Sequence, residues 1–126
     1  MLTKETFKKI MQEYGRAWEN FDSKAIISIF TEDGTYKETP FKKSYKGHKE
    51  IKEYWENIVK AKEKDVKFNL GNIFTQDNVG IAEWKSNFIR HDNGHPEELR
   101  GIILAEIKNG KINKLWEYWH KKEEMI

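Results

Sequence analysis

The sequence predicts an α+β fold: a cone-shaped, strongly curved, mostly antiparallel sheet whose concave face is closed by three N-terminal helices. Three observations predict it. Apolar residues recur at helical spacing as far as about residue 62. From Val66 onward the pattern switches to period two. Two turn signals, Asp77-Asn78 and Asn109-Gly110, then fold that half of the chain into a meander, and Asn-Gly is the pair that a type I′ hairpin turn prefers.

The first helix is expected over residues 3 to 21, with Thr3 as N-cap. Its stripe is Phe7, Ile10, Met11, Tyr14, Trp18 and Phe21, opposite a charged face carrying Lys8, Lys9, Glu13 and Arg16. Asp22-Ser23 caps a short second helix, roughly 23 to 31, whose Ile26, Ile27, Ile29 and Phe30 give it a broad apolar face. Asp33-Gly34 is read as the turn into a first strand, 35 to 39, which Pro40 ends because proline cannot donate to a ladder. Tyr36 and Glu38 lie two residues apart on that strand and so share a face. A loop over 41 to 46 leads to Gly47 and a third helix, about 48 to 62, with Ile51, Tyr54, Trp55, Ile58 and Val59 in register.

Beyond Asp65, Val66, Phe68 and Leu70 alternate with polar residues until Gly71, where a bulge is expected. The next strands are placed at 79 to 90, about 98 to 108, and Lys111 to about His120. The KKEEMI tail is expected to be frayed or bound at the surface. Long strands joined by tight turns imply strong twist and curvature. Helices over the concave side would leave a blind apolar cavity, the place for a small ligand.

Composition narrows the function. A chain of 126 residues and 15.1 kDa suits one domain, residues 1–126, with one core. Five Trp, five Tyr and seven Phe supply that core or the walls of a cavity. The 23 basic and 21 acidic residues are interleaved, so no basic arm for nucleic acid is present. The absence of cysteine excludes disulfides, thiolate catalysis and cysteine-ligated zinc, and favours a cytoplasmic location. No apolar run reaches membrane-spanning length, and the N-terminus lacks a signal-peptide core, so no membrane partner is expected.

Several short motifs occur in a telling order: Tyr14 and Trp18 on the first helix, the segment Ile29 to Tyr36, and Pro40. Gly47 before Ile51, then Tyr54-Trp55, continue it, and Asn109-Gly110-Lys111-Ile112 and Trp116-Glu117-Tyr118-Trp119 close it. In these the chain resembles the nuclear-transport-factor-2-like superfamily, and within it the SnoaL-like polyketide-cyclase and ketosteroid-isomerase group. The resemblance covers essentially the whole chain and implies a fold rather than a reaction. It implies that Tyr14 matches the oxyanion-hole tyrosine of the isomerases, that Glu38 stands at the position of their catalytic base, and that Trp55 replaces the aromatic that supports the tyrosine. Their second donor has no counterpart, since Ile102 to Ala105 are apolar, so the oxyanion hole would be half built. The aspartate that SnoaL-like cyclases often carry at the end of the last strand is replaced by His120, which can do acid–base work near neutral pH.

The residues themselves support the same candidates. An enclosed Glu38 would have its charged form disfavoured and could act as a general base, with the Tyr14 phenol polarising a carbonyl. The plainer alternative is a core tyrosine and a glutamate in water at a strand end. Trp18, Tyr36, Trp55, Trp84 and Trp116 are the candidate ligand-binding wall, with ordinary core packing as the alternative. Trp84 is placed inward with Ala82 and Ser86, whose small size would leave room for a ligand. On the last strand Ile112, Trp116, Tyr118 and His120 are read on one face, Leu115, Glu117 and Trp119 on the other. Both faces are apolar, which predicts a homodimer packed through the outer face of the sheet; which face meets the cavity stays open. His91, Asp92, His95 and Glu97 are read as a hairpin loop rather than a metal site, and Arg100 as an outward ion-pair residue. No phosphate loop or nucleophile–base–acid order is present. Two functions follow: cofactor-free acid–base chemistry on a small apolar or cyclic molecule (isomerase, cyclase, dehydratase or hydrolase), or a non-catalytic dimeric module binding a ligand or a protein.

Overall fold

The computed structural model describes residues 1–123. The outer part of the KKEEMI tail, 124–126, lies outside them, so that expectation does too.

The order of elements is α1 (Lys4–Glu19), α2 (Ser23–Ser28), β1 (Phe30–Lys37), β2 (Tyr45–Lys46), α3 (Gly47–Tyr54), then β3 (Glu63–Gln76), β4 (Val79–Arg90), β5 (Pro96–Lys108) and β6 (Lys111–Lys121). The sheet runs β2-β1-β6-β5-β4-β3. Only β1 and β6 pair in parallel; every other neighbour is antiparallel. Helix α1 starts where Thr3 caps it, its hydroxyl accepting from the Thr6 amide. Its buried stripe of Phe7, Ile10, Met11, Tyr14 and Trp18 faces the sheet, with Gly15 against the Phe68 ring.

The structure departs from the sequence reading in four places. First, Asp33-Gly34 is not a turn into β1 but an irregularity within it, between the pairs Phe30↔Ile112 and Thr35↔Lys114. A Cβ on Gly34 would stand 3.0 Å from the Thr31 carbonyl and 3.1 Å from that of Ile112, so glycine lets the backbones approach where a side chain would crowd them. Second, the loop over 41 to 46 contains the short β2, hydrogen-bonded to β1. Third, α3 does not continue regularly to 62. It passes into a π-helical turn, Trp55–Val59, closed by the Lys60 N–H donating to the Trp55 carbonyl, and ends in one α turn, Lys60–Lys62. Fourth, β6 carries a bulge: Glu106 pairs with Lys114 but Ile107 with Ile112. The extra residue shifts the phase. Ile112 therefore lies inward with Leu115, Glu117 and Trp119, and not with Trp116, Tyr118 and His120, which face out. The irregularity expected at Gly71 is present, between Leu70 and Ile73.

Candidate active site

Residues of α1, β1, the α3 region and the four strands β3 to β6 converge on a cavity of about 270 Å3. Trp18 comes from α1, Tyr36 from β1 with Glu38 just past its end, Tyr54 and Trp55 from the α3 region, and Glu117 and Trp119 from β6. The π turn helps shape it, since the extra residue buries both Trp55 and Val59 against this space.

Glu117 is the innermost charged-type group, 5% exposed. Its Oε2 accepts from the Tyr14 hydroxyl, and the Tyr36 phenol lies against the same pair. Burial pushes the Glu117 carboxyl up to about 8; the two phenols pull it down less than burial lifts it, and Glu38 and Glu63 add to the rise. Near neutral pH, Glu117 is therefore a carboxylic acid with one proton to donate. Burial likewise raises the Tyr14 and Tyr36 phenols well above their usual range, with the neighbouring carboxyl second.

Glu38 sits at the mouth. Its Oε2 accepts from the Tyr54 hydroxyl at 2.8 Å, its Oε1 from Lys42 Nζ at 2.9 Å, and its backbone carbonyl from Trp119 Nε1 at 2.9 Å. The side chain is 13% exposed, whereas that of Lys42 is 61% exposed. A third carboxyl, Glu63, accepts from Trp18 Nε1 at 2.8 Å, and burial raises it to about 7.

The sequence-derived candidates divide accordingly. Glu38, Trp18, Tyr36 and Trp55 line the cavity, and Tyr14 stands behind it, joined to it through Glu117. Trp84 is inward as expected, but it stacks on Phe68 at 6.0 Å and meets Trp18 at 5.7 Å, filling the space that Ala82 and Ser86 were to leave open. Trp116 and His120 are corrected: the bulge in β6 turns both to the outer face, away from the cavity. Arg100 is outward and bonded to Glu98 at 2.7 Å, and His48, at the start of α3, contacts the Phe30 carbonyl at 3.0 Å. The sequence reading missed Glu117, Glu63, Tyr54 and Trp119. Glu117 did carry a signal, an acidic residue in phase with Leu115 and Trp119, and a bulge in the strand was needed to interpret it.

A larger open groove of about 1130 Å3 runs past Asp65, Asn87, Ile89 and Pro96 at the edge of the sheet. It shares Glu97 with the smaller cavity but holds none of Glu38, Glu63 and Glu117, so the smaller cavity is the candidate active site.

A curved sheet with three helices over its concave face is the nuclear-transport-factor-2-like, ketosteroid-isomerase-like fold, and the solved structures similar to this one share it. A ketosteroid-isomerase-like protein from Catenulispora acidiphila, solved with trimethylamine, superposes with a TM-score of 0.79 at 16% identity, covering 86% of this chain and 83% of its own. SalBIII, an epoxide hydrolase/cyclase-like enzyme of pyran ring formation in salinomycin, gives 0.81 at 21% identity, covering 95% of each chain. A hexachlorocyclohexane dehydrochlorinase, LinA type 2, gives 0.81 at 12% identity, covering 96% of this chain and 89% of its own. At these identities the likeness is one of fold. The family model of the SnoaL-like domain matches residues 11–115, so the chain belongs to the SnoaL-like family. The match takes in Tyr14, Glu38 and Glu63 and stops short of Glu117. No curated protein matches the chain in sequence.

Proposed function

We propose that the chain is a cofactor-free acid–base enzyme acting on a small molecule held in the cone. The observation that carries this is Glu117: a buried carboxyl backed by Tyr14 and Tyr36, in the same cavity as Glu38. Glu38 takes a proton from carbon or from water. Glu117 delivers one to the oxygen that becomes negative, and Tyr14, hydrogen-bonded to it, steadies the carboxylate left behind. The acid that β5 lacks at Ile102 to Ala105 is thus supplied from β6. Isomerisation, cyclisation, dehydration and hydrolysis all fit this pair. Solved relatives described as a cyclase-like enzyme and a dehydrochlorinase, and one holding trimethylamine, support a small-molecule pocket.

The working form is a homodimer through the outer face of the sheet. Phe74, Ile81, Leu104 and Trp116 form one cross-strand row there, and Phe74 and Tyr118 are 55% and 41% exposed.

5-Nitrobenzisoxazole, a flat neutral probe, tests the base. Removal of its C3 proton breaks the N–O bond and releases a phenolate, so the reaction needs a base and little else. Glu38→Gln is expected to lower kcat/KM by about 10²-fold or more. An unchanged rate in that variant would contradict the proposal, and would favour a non-catalytic binding module.

A further inference from the structure

The acid–base scheme leaves two cavity carboxyls unused, Glu97, which faces Arg90 and Lys121, and Glu63. It opens β3, and only one hydrogen bond among the described residues reaches it, from Trp18 Nε1 to Oε1. Oε2 accepts none. No ion pair among the described residues involves it either. Arg90 is its cross-strand partner, yet the Arg90 guanidinium is turned to Asp92 at 2.6 Å and to Glu97 at 3.8 Å. Lys121, the other cation lining the cavity, is 3.5 Å from Glu97. Lys62, its chain neighbour, is the one cation whose charge is felt there, and weakly, so among the described residues the partly buried carboxyl has no ion-pair partner.

Its surroundings are aromatic. Trp18 and Trp55 meet edge to face at 5.9 Å and 75° beside it, and Tyr36, Tyr54 and Trp119 complete the wall. Trp55 is itself 3% exposed, and its Nε1 has no acceptor. Aromatic rings around a carboxyl with no ion-pair partner are a setting that suits alkylammonium groups, by ring quadrupole and by charge together. A neutral apolar ligand would use the rings and leave Glu63 buried to no purpose; an anionic ligand would be repelled.

We infer that Glu63 anchors a positively charged alkylammonium group, so that the cavity takes a small amine or quaternary ammonium compound. The inference rests on this cavity being the working site. It leaves Glu38 and the Tyr14–Glu117 pair free for chemistry on the rest of the ligand. The rise of the Glu63 carboxyl to about 7 agrees with a site whose countercharge arrives with the ligand.

Choline and its neutral carbon isostere, 3,3-dimethylbutan-1-ol, separate charge from shape. Binding is read from the fluorescence of the cavity tryptophans and from the rise in Tm. Choline is expected to bind about tenfold or more tightly than the isostere. Glu63→Gln is expected to bring choline down to the level of the isostere while leaving isostere binding unchanged, which also shows that the variant is folded. Binding of choline is expected to strengthen as pH rises through about 7, as Glu63 ionises amid Glu38, Glu97, Glu117, Lys62, Arg90 and Lys121. Equal binding of the two compounds, no binding of either, or full choline affinity in Glu63→Gln would overturn the inference. The acid–base reading fails separately, through the neutral benzisoxazole probe, which calls on neither Glu63 nor a cation.

Discussion

Glu117 sets the acid–base balance of this cavity because it has nowhere to put a charge. Its ordinary value is 4.5 and its folded value about 8. The folded state therefore holds the proton more tightly than the unfolded chain between those limits. Stability falls as pH rises across that window, is unpenalised below it and is fully penalised above it. At ~1.4 kcal/mol per pKa unit the loss amounts to several kcal/mol. Glu117→Gln, which keeps the shape and removes the titration, is expected to flatten urea midpoints over the same range. Glu63, raised to about 7, contributes in the same direction, so the flattening is partial. Tyr14→Phe removes the donor that stabilises the Glu117 carboxylate; it should raise the Glu117 titration further and cost about 1–3 kcal/mol of stability. At this scale the sequence was informative in part. Tyr14 and Glu38 stood out by position, but the partner that gives Tyr14 its role is far along the chain, and no local pattern joins the two.

The strands set which residues can meet. Glycine at 101 brings β5 and β6 into close contact: a Cβ there would run into the Tyr118 carbonyl and lie 2.7 Å from Trp119 Cα. Neither is a flexible side-chain end that could yield. Gly101→Ala is expected to destabilise the protein by several kcal/mol, in the range that marks severe core defects, as read from the urea midpoint. It should also displace Trp119, whose indole holds the Glu38 carbonyl. Element type and order were legible because period 3.6 and period 2 are written into local sequence; β4 was placed at its observed bounds, 79 to 90. The irregularities were not. The irregularity in β1 inserts three residues, and the bulge in β6 and the π turn at Trp55 one each, without changing composition. Their cause is tertiary: the parallel pairing of β1 with β6, and the burial of Trp55 and Val59. The β6 bulge alone moved Trp116 and His120 out of the site and Glu117 into it.

At the level of the whole molecule, the cone does two things with its sheet. The concave side encloses the carboxyls, and the convex side presents the row Phe74–Ile81–Leu104–Trp116. Trp116→Arg is expected to convert a dimer to monomer in sedimentation equilibrium while leaving the far-ultraviolet circular dichroism unchanged, because Trp116 packs outward. A wild-type monomer at high concentration would contradict the dimer. The cone itself was legible from the order of elements, since three helices and a curved meander have few ways to pack. Which carboxyls it encloses was not, because that depends on strand phase. The most direct test of the account is the titration of Glu117, followed by carbon-13 NMR of glutamate carboxyls and assigned by its loss in Glu117→Gln. A midpoint near 8 is expected; a midpoint near the ordinary 4.5 would mean that Glu117 is a carboxylate at neutral pH and cannot be the acid.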